Sequence, residues 1–147
     1  MKMTKAFTLI ELVFVIVILG ILTAVALPKF AKTKELADVA KGRADISTIR
    51  AAIVNERQSR LILGKKLYID KLSTGGVGEK LFTGNGADRN LLTYGITAGT
   101  GSGSWARVND TTYKFNVDGT LTTFDYNSTR GIFTCTADVD DCNALVD

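Results

Sequence analysis

The chain has 147 residues with no histidine and two cysteines, which excludes a His-based triad, an imidazole general base and the usual zinc sites. Its net charge of +3 is uneven: residues 28–60 carry eight Lys/Arg against four Asp/Glu, and residues 61–147 carry eight against ten. No concentrated basic patch results, which argues against a nucleic-acid partner.

The first element is the run KAFTLIELVFVIVILGILTAVALPKF, Lys5 to Phe30. Phe7 to Leu27 is 21 residues with one charge, Glu11. As a helix it would span about 31 Å, close to the hydrocarbon thickness of a bilayer. It is longer than a secretory h-region, and no A-x-A site follows it. Lys2 and Lys5 precede it while Lys29, Lys32 and Lys34 follow, so counting charges leaves its direction open. A carboxylate in lipid is costly unless paired, and intramembrane ionisable groups are functional by default. Gly20 and Pro28 read as points of helix weakness, and Gly20 equally suits close helix packing in lipid.

The run Phe7-Thr8-Leu9-Ile10-Glu11-Leu12, after a short basic leader and before an apolar helix with Gly20 and Pro28, resembles the N-terminus of type IV pilins and of type II secretion pseudopilins. The resemblance covers residues 5–30; the rest of the chain offers only a compatible architecture. It implies cleavage between Ala6 and Phe7 by a prepilin peptidase, followed by N-methylation of Phe7. The family usually has glycine before the cut, and here alanine, the next smallest side chain, stands there. The resemblance also implies a cytoplasmic leader, with everything after Pro28 outside. It implies that the Phe7 amine of one subunit pairs with Glu11 of its neighbour, and that the helix melts locally near Gly20 and Pro28 on assembly.

Residues 28–63 continue as an amphipathic helix. Leu36, Val39, Ile46, Ile49, Ile53 and Leu61 recur at helical spacing, and Gly64 is the expected stop. Residues 64–104, with STGGVGEK, TGNGADRN and TAGTGSGS, read as a long connection with a short element around Leu91–Ile96. GTGSGS lacks the Gly-Lys-Ser/Thr ending of a P-loop.

TTYKFNVDGTLTTFDY predicts a hairpin turning at Asp118-Gly119. It pairs Val117 with Thr120, Phe115 with Thr122 and Tyr113 with Phe124. Tyr113, Phe115, Val117, Phe124 and Tyr126 then share the face that covers the helix stripe. SWARV and GIFTCT flank the hairpin as further strands. Cys135 and Cys142 suit a disulfide formed in an oxidising compartment, which pins the last strand to a C-terminal tail and resembles the disulfide-bounded loop of pilins. Asn127-Ser128-Thr129 is a glycan acceptor pattern, with Asp125 two places upstream; an ordinary post-strand turn explains it equally. Asp138, Asp140 and Asp141 read as a solvated acidic loop rather than a calcium site.

These readings combine into an α+β, pilin-like fold: a cleaved leader (1–6), a transmembrane and polymerisation helix (7–27), an amphipathic helix (28–63), and a globular head on a small antiparallel sheet with a C-terminal disulfide loop (64–147). The expected function is structural and not enzymatic: a filament subunit without cofactor or metal. Its implied partners are copies of itself or related pilins, the prepilin peptidase, a pilus or secretion assembly platform and the bacterial inner membrane. The precursor would sit in that membrane with its head outside the cytoplasm, and the filament would be extracellular or periplasmic. The alternatives are a type II secretion pseudopilin and a competence-type minor pilin.

Overall fold

The computed structural model describes residues 7–86 and 91–146. Its first element is a helix, α1 (Leu9–Ile62). The chain divides into two units, one ending at Lys34 and the other beginning at Glu35.

In the first unit every described side chain is exposed. The helix is long and apolar enough to cross a membrane. It stays helical through Gly20 and Pro28, although Pro28 has no amide hydrogen to donate to the Ala24 carbonyl. The hydroxyls of Thr23 and Thr33 turn back onto the carbonyls of Leu19 (2.7 Å) and Lys29 (2.9 Å). Each thus meets its hydrogen-bonding need within the helix.

In the second unit α1 buries Gly42, Ile46, Ile49, Ala52, Ile53 and Glu56. The central stripe is as expected, but Leu36 and Leu61 are corrections, at 62% and 52% exposed. Periodicity marks the side of a helix that is covered, not where the covering layer begins and ends. The helix stops as Gly64 predicts: its φ is +73°. The Gly64 amide donates to the Leu61 carbonyl and the Lys65 amide to that of Arg60, the paired bonds of a Schellman end.

The covering layer is a four-stranded antiparallel sheet of β3 (Trp105–Arg107), β4 (Thr112–Val117), β5 (Thr120–Asn127) and β6 (Ile132–Cys135), in that order. The hairpin register is the predicted one, with Tyr113 opposite Phe124, Phe115 opposite Thr122 and Val117 opposite Thr120. Asp118 and Gly119 both have positive φ, as the two-residue turn that matches strand twist requires. A small second sheet pairs β1 (Lys80–Leu81) with β2 (Ile96–Thr97). The element expected around Leu91–Ile96 therefore shrinks to its last residue and Thr97. Leu91 is buried outside any strand.

The core is aromatic. Trp105, Tyr113, Phe82, Phe115, Phe124 and Phe133 are fully buried, with Phe82–Tyr113 centroids 4.8 Å apart and Trp105–Phe115 4.9 Å. Phe82 sits at φ +58°, a left-handed conformation that costs an L-residue about 1–2 kcal/mol. Its amide donates to the Ser73 hydroxyl at 2.6 Å and its carbonyl accepts from Leu92 at 2.9 Å. Those bonds and the burial of its ring hold it there. Polar bonds tie helix to sheet: the Trp105 indole donates to Asp45 at 3.0 Å and Arg50 to the Phe133 carbonyl at 3.1 Å.

Gly42 lies where α1 runs closest to its cover. A Cβ there would come within 2.6 Å of the Phe115 ring and 2.7 Å of the Leu145 side chain. Gly42→Ala is expected to destabilise the folded unit by about 1–3 kcal/mol through overpacking, despite the roughly 1 kcal/mol helix preference for alanine. Gly20→Ala, with nothing within 4 Å, should show no loss. Thermal unfolding of both variants in detergent, followed by near-ultraviolet circular dichroism, checks this.

Candidate assembly site

The start of α1 is built by a reciprocal cap. The Thr8 hydroxyl accepts from the Glu11 amide at 3.3 Å. Glu11 Oε2 in turn accepts from the Thr8 amide at 3.1 Å and from the Thr8 hydroxyl at 2.9 Å. This is a capping box: each side chain satisfies the other's otherwise orphaned backbone amide. A negative charge in the first turn also complements the helix dipole. The carboxylate is therefore oriented by its own chain, and both bonds fall on Oε2.

The sequence reading named Glu11 and overlooked Thr8 as its partner. The signal was present, since Thr8-Leu9-Ile10-Glu11 ahead of an apolar run is the T-x-x-E signature of a helix start. Phe7 is 74% exposed beside this cap. Ala6 lies outside the described residues. Gly20 and Pro28 are not gathered to the cap; they lie about 14 and 26 Å farther along the helix axis.

At the other end of the chain Cys135 and Cys142 form a disulfide, with Cα atoms 5.7 Å apart. The expected tail is instead a helix, α2 (Val139–Val146). Asp140 and Asp141 occupy its first turn, so the acidic cluster has a local cause in the helix dipole. Leu145 is 1% exposed and packs over Gly42; Arg43 donates to the Ala144 carbonyl at 2.9 Å. The tail was hard to recognise because one buried leucine in eight residues leaves no periodic signature. Among the described residues no group of three or more His, Cys, Asp or Glu side chains is arranged to hold a metal ion.

Asn127 is exposed at the end of β5. Its side-chain oxygen accepts from the Thr129 amide at 3.0 Å and the Arg130 amide at 3.1 Å. That places it in the post-strand turn.

Residues 1–27 match the family model described as the prokaryotic N-terminal methylation motif. The chain is 34% identical over 67 residues to a fimbrial protein of Pseudomonas aeruginosa, covering 46% of this chain and 41% of that protein. It is 48% identical over 48 residues to the type IV narrow pilus major component PilA5 of Thermus thermophilus, covering 33% of this chain and 41% of the relative. The chain thus spans about two fifths of the length of these relatives. No solved structure matches it.

Replacing both cysteines by serine removes the tether on α2. By chain entropy, a loop this short contributes about 2–3 kcal/mol. Cys135→Ser/Cys142→Ser should unfold at correspondingly lower denaturant, with amides of Val139–Val146 exchanging first. Hydrogen exchange read by mass spectrometry measures both effects.

Proposed function

We propose that this type IV pilin-like chain is the structural subunit of a type IV pilus-like filament, cut between Ala6 and Phe7, methylated on the new Phe7 amine and polymerised through residues 7–27. The observation that carries the reading is the capped Glu11 at the head of an apolar helical stretch whose described side chains are all exposed through Lys34. The match to the methylation motif over residues 1–27 supports it. The names of the matched relatives, a fimbrial protein and a pilus component, support a pilus over a secretion pseudopilus.

The exposed helix has two ways to leave water: lipid before assembly and neighbouring copies after it. Contacts between apolar helices are non-directional and leave axial offset poorly defined. A single charge pair in low dielectric supplies the missing direction. Thr8 holds Glu11 through Oε2, which leaves Oε1 for the methylated Phe7 amine of the next copy. The subunit pool then resides in the inner membrane. The prepilin peptidase and an assembly platform are the machinery the reading requires.

Intact mass of the membrane form should correspond to a chain beginning at Phe7 with one added methyl group. A chain retaining Met1–Ala6 in cells with an active peptidase contradicts the assignment. Glu11→Ala should still insert and be cut, with its disulfide intact, yet yield few or no filaments in electron micrographs of sheared cell surfaces. Normal filaments from that variant alone would remove Glu11 from assembly.

A further inference from the structure

The second unit has two unlike poles. At one, where α1 ends, Leu61, Ile62, Leu63 and Leu67 are 52%, 86%, 63% and 77% exposed. Lys65 and Lys66 stand exposed among them. Arg57 adds positive charge there: it lies 4.7 Å from the Tyr68 ring centre and donates to the Lys65 carbonyl. Asp70, bonded to Asn85, is an exposed acid on this side, and Glu56 pairs with Arg60.

At the other pole Glu35 and Asp141 line one cavity together with Leu145, and Asp138 and Asp140 are exposed beside it. Apolar surface accompanies these acids too: Leu36 is 62% exposed and Val139 is 72% exposed. Two cations of the second unit on this side, Lys41 and Arg43, are directed at the backbone carbonyls of Gly103 and Ala144. Residues 35–62 of α1 separate the poles by about 40 Å at 1.5 Å per residue.

Each pole carries exposed apolar side chains, and each carries the charge that complements the other. We propose that the Leu61–Leu67 pole of one copy docks on the Glu35 and α2 pole of a second copy of this chain. A contact between two different patches on opposite ends of one body cannot close on a twofold axis, and it repeats into an open array where its rotation does not close a ring. It gives the second unit a part in filament growth separate from the Glu11 pairing of the first. This inference deepens the filament reading and rests on it for its setting, but its residues and its test are its own.

The test uses the full chain with reversed poles. Lys65→Glu/Lys66→Glu makes both poles acidic, and Asp138→Lys/Asp140→Lys makes both basic. Each alone should make few or no filaments, while the two co-expressed should restore them as an alternating array. Filaments from either variant alone, or none from the pair where the unaltered chain makes them, overturn the proposal. A zero-length carbodiimide cross-link between Lys65 or Lys66 and Asp138 or Asp140, sought in membranes of cells expressing the unaltered chain, reads the contact directly. Within one copy α2 packs over Gly42, and the stretch of α1 from there to Ile62 spans about 30 Å, so any such link is intermolecular. If the cross-link forms and no filaments do, the pole contact stands and the filament reading falls. Filaments that lack the cross-link and ignore the reversals remove the pole contact and leave the filament reading intact.

Discussion

From Leu9 to Lys34 every side chain of α1 is exposed among the described residues, and most of them are Leu, Ile, Val, Phe or Ala. At about 25 cal/mol per Å2 of apolar surface, water cannot be the working environment of this helix. Apart from the Ala24 carbonyl, which Pro28 leaves without a donor, its backbone amides and carbonyls pair along the helix, so lipid is acceptable to it, and so is the side of another such helix. Between Phe7 and Leu27 the one charged group, which fits neither environment without help, is Glu11. Thr8 supplies part of that help from within the same turn, which turns a liability into an oriented acceptor.

The second unit meets a different requirement. It must fold around a helix face and still present polar surface outside. Six aromatic rings concentrate the apolar area in little sequence, and Gly42 lets Phe115 and Leu145 press onto the helix. The connection from 64 to 104 contributes little regular structure, yet it delivers Ile69, Leu72, Leu81 and Phe82 into the core. It tolerates a strained backbone at Phe82 to do so. The disulfide then fixes α2 where it seals the start of the covered face.

Patterns shorter than one element were legible before any fold was known. The apolar run, the Asp118-Gly119 turn and the strand alternation around it depend on neighbours within a few residues. The hairpin register consequently agreed pair for pair. The helix stripe was legible in its middle and not at its ends, because Leu36 and Leu61 look like Ile49 to a periodicity argument. Whether they are covered depends on a sheet formed 40 or more residues later in the chain. Glu56, buried on that face, gave no sign of it for the same reason.

By itself, then, the sequence determined the apolar helix long enough to cross a membrane, the carboxylate near its head, and the hairpin, since each follows from local spacing and transfer energy. Tertiary structure alone decided that Phe82 belongs to the core, that α2 is a helix seated over Gly42, and that the acids of α2 gather with Glu35 at one pole while Lys65 and Lys66 stand at the other. These groupings join residues as far apart as Glu35 and Asp141. Only chain packing brings such residues together, and no local pattern records it.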